Sequence, residues 1–156
     1  LSRPHFHLPL SVLAALFAVA SFIPPASAQN GALTPLTIVT DEARTDFEVE
    51  LAVTREEQAQ GLMFRRELAP DKGMLFDFGS ERPAAFWMMN TYVSLDMLFV
   101  RADGTIARIA ERTEPLSTAT VPSGVPVRFV LEVVAGTADR LGLTVGDRIE
   151  HELVAD

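Results

Sequence analysis

Leu95-Asp96-Met97-Leu98-Phe99-Val100-Arg101 followed by Ala102-Asp103-Gly104-Thr105 and then Ile106-Ala107-Arg108-Ile109-Ala110 decides the fold. The first part is a strand, apolar on both faces except at Asp96. Asp103-Gly104 is a strong hairpin signal, because both residues tolerate the positive φ that such turns need. Thr105–Ala110 is therefore predicted to return antiparallel.

Working outward, Phe47, Val49 and Leu51 alternate with Glu48 and Glu50, the pattern of a half-buried strand. Leu36–Val39 is predicted as a short first strand after a polar lead, and Asp41–Asp46 as a charged turn. Thr54-Arg55-Glu56-Glu57 is a capping box, so a short helix is expected from Arg55 to about Gln60, with Gly61 at its end. Met74–Phe78 and Ala85–Met89 read as strands on either side of Gly79–Pro83. Pro115–Pro126 reads as a long surface loop and Val127–Val134 as the next strand. Ala138–Leu141 is a single helical turn, and Val145-Gly146-Asp147 turns into a last strand, Arg148–Val154. Short strands separated by frequent turns favour a sandwich or a barrel. A βαβ architecture needs longer crossover helices. The expectation is a mostly β, compact, antiparallel two-layer β-sandwich or barrel-like domain with two short helices.

The chain has 156 residues, 13 basic and 21 acidic side chains, a net charge of −8 and no cysteine. Its first 28 residues read as a signal peptide. Arg3 precedes an apolar run from Leu8 to Ile23, Pro24-Pro25 ends the run, and Ala26-Ser27-Ala28 supplies a cleavage site. The run is too short and interrupted for a bilayer span, which takes about 20 apolar residues. The expected organisation is a signal peptide at 1–28, a polar lead and first short strand at 29–46, and one β-rich globular domain at 47–156. The expected location is exported, periplasmic or secreted, with no stable membrane insertion after cleavage. Residues 1–28 hold one basic and no acidic side chain, so the remainder carries 12 against 21, or −9. Such a charge repels phosphate backbones, and nucleic acid is not an expected partner. His151 is the single histidine after Ala28, so neither a histidine dyad nor a multi-histidine zinc site can form within one chain. No metal or cofactor is expected.

An ordered set of motifs runs through the chain: Gly61-Leu62-Met63-Phe64-Arg65, Gly73-Met74-Leu75-Phe76, Phe86-Trp87-Met88-Met89-Asn90-Thr91, Leu95-Asp96-Met97-Leu98-Phe99, Val130-Leu131-Glu132 and Val145-Gly146-Asp147. Over roughly Phe47–Ile149 it resembles domain of unknown function 192, a family of small, often exported bacterial and archaeal proteins. The resemblance implies a compact β-rich fold and no established activity. The family pattern usually has Lys after Trp-Met. Here that position is Met89, so a role needing a cation there does not carry over.

Asp96 is the weak catalytic candidate. A carboxylate in an apolar strand needs donors, for which Arg65, Arg128 and the Asn90-Thr91 turn are available. It is then either a general acid/base or a structural acceptor. The ligand-binding candidates are Arg65, Trp87, Asn90, Thr91 and Asp96. If Phe86–Thr91 is a strand, Trp87 and Met89 share a face. An exposed Trp there would suit a groove, and a buried one the core. Arg66 reads as solvated, and Arg128 and Glu132 as partners in cross-strand pairs. Asp147 reads as a turn residue. Ser123 lacks a nucleophile elbow and a base.

Three functions compete. The leading one is a non-catalytic periplasmic or envelope module that binds a small molecule, glycan or partner protein. The second is a small hydrolase or lyase using Asp96 with Arg65 and Asn90. The third is an assembly partner without a ligand. A pocket joining Asp96, Arg65 and Trp87 would favour the first two, and a fully packed Asp96 the third.

Overall fold

The computed structural model describes residues 31–154. The segment predicted as a signal peptide, with its predicted cleavage site, lies outside the described residues. In chain order the elements are β1 (Thr34–Val39), β2 (Arg44–Ala52), α1 (Arg55–Gln60), β3 (Lys72–Phe86), β4 (Leu95–Val100), β5 (Ile106–Ala110), β6 (Val121–Val134), α2 (Thr137–Leu141) and β7 (Arg148–Glu150). They form one seven-stranded sheet in the order β5-β4-β6-β3-β2-β1-β7, curled into a half-barrel. The mostly β fold with two short helices is as the sequence predicts.

Several details differ from the sequence reading, among them the last strand, which ends at Glu150 and not at Val154. β2 and β3 pair in parallel, Glu48 opposite Lys72 through Ala52 opposite Phe76, so the sheet is mixed. The crossover between them is mostly irregular, with α1 supplying only six residues of helix, which is why helix length alone did not reveal it. In addition, Met74–Phe78 and Ala85 belong to one long strand. β3 runs through Gly79–Pro83 with register shifts between Asp77 and Arg82 and between Pro83 and Ala85. Bulges absorb the glycine and proline that read as a break. β6 likewise begins at Val121, with Pro122 opposite Ala85 and Pro126 opposite Pro83. β4 pairs with β6 only from Phe129 onward. The two prolines therefore lie where β6 has a free edge and needs no second set of N–H donors.

The sheet's alternation produces two apolar clusters. Leu36, Phe47, Leu75, Leu98, Phe129 and Ile149 lie on the inner face of the curl, with Ala138 and Leu143 from the α2 region. Met74, Phe76, Met97, Phe99 and Val130 lie on the outer face, covered by Leu62 and Met88 from the connecting loops. The 95–110 hairpin forms as predicted. Its tip closes the curl: Ile106 N–H donates to Asp147 O at 2.7 Å, while Gly146 N–H donates to Ile106 O and Ile149 N–H to Gly104 O, both at 2.9 Å. Gly104 has φ +85°, and a Cβ there would lie 2.6 Å from the Ile149 carbonyl oxygen.

Candidate functional site

The capping box is present. Thr54 Oγ1 accepts the Glu57 N–H, and the Glu57 carboxylate accepts the N–H groups of Val53 and Thr54. Gln58 then ties α1 to β3 by donating to the Asp77 carbonyl at 2.7 Å. The helix thus stands over the outer face of β3 and walls a cavity of about 470 Å³, within the size range of small-molecule sites. Phe76, Phe78, Phe86 and Trp87 line it. The Phe76 and Phe86 rings meet edge to face at 5.0 Å between centroids. Arg55 and Arg82 also line it, and the Arg82 guanidinium lies 4.3 Å from the centre of the Phe78 ring.

Glu132 is the buried ionisable group lining this cavity. It lies in β6 with Met74 of β3 and Met97 of β4 directly opposite. Only 4 % of it is exposed, it lines the cavity, and no described residue donates a hydrogen bond to its carboxyl group. Burial pushes its pKa up to about 8, because the charged form has lost water and gained no donor. At neutral pH the group is mainly the uncharged acid.

The sequence candidates separate. Trp87 is half exposed, at 51 %, and lines the cavity with Thr91. The strand ends at Phe86, so Trp87–Thr91 is a loop, which is how Trp87 escapes the core. Asn90 has φ +57° and its carbonyl accepts the Phe64 N–H at 2.7 Å, fixing the Leu62–Phe64 segment. Arg65 pairs with Glu50 at 2.6 Å. Asp96 is fully buried on the inner face. Its donors are backbone groups, Arg112 N–H at 2.8 Å and Ala138 N–H at 2.9 Å. Neither Arg65, Arg128 nor the Asn90-Thr91 turn supplies them, contrary to the sequence expectation. Asp96 is the structural acceptor that anchors α2 and the Arg112 loop, and the structure does not bring it together with Arg65 and Asn90.

Arg128 does pair across strands, bidentate to Asp77 at 3.0 Å, while Glu132 does not. Asp147 accepts the Thr144 N–H in a turn. Ser123 is buried, donating to Val125 O and accepting the Ala84 N–H, which leaves it no nucleophilic role. His151 is held below the usual imidazole pKa by burial and lies 2.9 Å from Thr34.

The fold and cavity define a small β half-barrel with a ligand-sized, aromatic, carboxyl-bearing pocket on the outer face of its sheet. The family described as Uncharacterized ACR, domain of unknown function 192, matches residues 37–151, and the chain belongs to it. Similar solved structures include two crystal structures. One is a protein from Sinorhizobium meliloti described as a proposed transcription regulator, 49 % identical, with a TM-score of 0.77, covering 79 % of this chain and 96 % of its own. The other is a protein of unknown function from Novosphingobium aromaticivorans, 37 % identical, also with a TM-score of 0.77, covering 88 % and 99 %. No curated protein matches.

Proposed function

We propose that this chain is an exported, non-catalytic binding module whose ligand is a small molecule held in the cavity between α1, β3 and the Trp87–Thr91 loop. The observation that carries the reading is the pairing, in one cavity, of a half-exposed Trp87 with a buried Glu132 that has no donor among the described residues. An aromatic wall with one convergent polar group is the usual composition of a small-molecule site. The described lining contains no Ser, Cys, His or Lys, and its hydroxyl groups, on Thr91 and Thr120, have no histidine beside them in the lining to act as base. The regulator description of the Sinorhizobium protein suggests nucleic acid, and this chain's net charge of −8 opposes it.

A thermal-shift screen of the purified protein against metabolites, glycans and divalent metals tests the reading. A specific ligand raises the midpoint in the wild type and not in Trp87→Ala. A screen in which nothing shifts the wild type, or in which every shift survives Trp87→Ala, overturns it.

A second reading, docking of a partner protein, is favoured by two observations. Asp96 is fully packed, and Phe64, Trp87, Tyr92 and Leu116 are exposed on loops joined by the Phe64 N–H to Asn90 O and Leu116 N–H to Thr91 O bonds. Loss of a cross-linked partner in native cells on Phe64→Ser with Leu116→Ser would support it.

A further inference from the structure

The polar end of the cavity says what its ligand carries there. Glu132 is more than nine-tenths buried, central in the sheet, flanked by two methionines in register and without a hydrogen-bond donor among the described residues. A buried carboxyl in this state is costly until a donor arrives. An anionic ligand would bring more acceptors to it. A hydroxyl would satisfy one oxygen. An ammonium group brings three N–H donors and cancels the charge that burial disfavours. The walls agree, because the faces of Phe and Trp rings attract cations, and the Phe78 ring already holds the Arg82 guanidinium.

We propose that the cavity takes a primary amine on an apolar stem, bound as the ammonium ion with its N–H bonds on the Glu132 carboxylate. This rests on the binding-module reading and deepens it. The exchange balances: the protonated Glu132 and the alkylammonium become a carboxylate–ammonium pair, and the Glu132 proton leaves to solvent.

The surrounding charges permit it. On β3 and β4 the residues opposite Glu132 are Met74 and Met97, which carry none. On β2, Glu50 is neutralised by Arg65. On β5, Arg108 lies over Phe99. Arg82, over the Phe78 ring, and Arg55, in the first turn of α1 beside Glu56 and Glu57, keep their charges, but both are exposed and water screens them.

The test is calorimetric titration of the purified protein with n-hexylamine, hexanoate and 1-hexanol at neutral pH, in two buffers of different ionisation enthalpy. Hexylamine is expected to bind with release of about one proton per site, since Glu132 starts protonated. Hexanoate and hexanol are expected to bind at least about tenfold more weakly and to release none. Glu132→Gln should weaken hexylamine by at least about tenfold and abolish the proton release. Absence of hexylamine binding up to about 10 mM, binding of hexylamine without proton release, or equal binding of hexanol or hexanoate overturns the amine. The proton count is read on the wild type, so it stands whether or not the Gln variant folds. Hexanol or hexanoate binding that Trp87→Ala removes would leave the cavity a binding site while the amine falls. Silence from all three probes together with a silent ligand screen would remove both.

Discussion

The two faces of the sheet each bury a carboxyl group in an apolar strand, and they treat it in opposite ways. Asp96 on the inner face receives two backbone N–H groups, from Arg112 and Ala138. Glu132 on the outer face receives none from the described residues and opens into a cavity. The first joins α2 and a loop to the central sheet. The second keeps its hydrogen-bonding capacity unspent. Burial alone therefore does not distinguish a structural carboxylate from a site carboxylate. What distinguishes them is whether the protein itself supplies the donors.

The largest effect should come from Asp96→Ala. It leaves the buried Ala138 N–H without an acceptor, at about 1–3 kcal/mol, and the part-buried Arg112 N–H at less than that. Asp96→Asn keeps one acceptor oxygen and should fall between the variant and the wild type. Urea midpoints at unchanged slope measure both, and a wild-type midpoint for Asp96→Ala would erase the contrast. Next in size is a pH effect from Glu132. Its folded pKa is about 8, above the ordinary 4.5, so between those values the folded state binds more protons than the unfolded one. Its contribution to stability is complete at low pH and is lost as pH rises toward 8, by at most about 1.4 kcal/mol per pH unit. Glu132→Gln should flatten the urea midpoint relative to wild type across that window. His151, whose pKa is depressed, acts with the opposite sign, adding stability as pH rises until the ordinary imidazole range is passed, and it cancels in the comparison of the two proteins. A wild type and a Gln variant with parallel pH profiles would place Glu132 in water. Smaller still, Trp87→Ala should cost about 2–3 kcal/mol, since only half of the side chain is out of water, while removing any ligand-induced shift in midpoint. Smallest is Glu48→Ala. Its side chain is 57 % exposed and pairs with Lys72, so the midpoint should change by no more than about 0.5 kcal/mol.

Much of the fold was legible because it is written in local signals. The hairpin at Asp103-Gly104, the capping box at Thr54 and the alternation of Phe47, Val49 and Leu51 need no distant partner to be read. The parallel pairing of β2 with β3 and the continuity of β3 through Gly79–Pro83 were not legible, since both depend on which strand lies alongside. The site was half legible. Trp87 and Thr91 were read from their own segment. Asp96 was recognised as a buried carboxylate, yet its donors are backbone groups that no residue type announces. Glu132 carries the same signal, an acid amid Val130, Leu131, Val133 and Val134, and was read as a cross-strand pair. Sequence shows that a carboxylate is surrounded by apolar neighbours. It does not show whether a cation lies across the strand, and here Met74 and Met97 do.

The seam at Gly104 has a consequence for how the chain is made. The last strand, Arg148–Glu150, sits between β1 and the tip of the β4–β5 hairpin. Before β7 docks, the other strands can pair, yet β1 and the hairpin tip still lack their final neighbour. The seam therefore closes only once β7 is in place, and until then those edges can recruit strands from other molecules. The absent side chain at residue 104 lets the Ile149 backbone come close enough to end that exposure. Any larger residue there would lengthen the life of the open form without touching either buried carboxyl group.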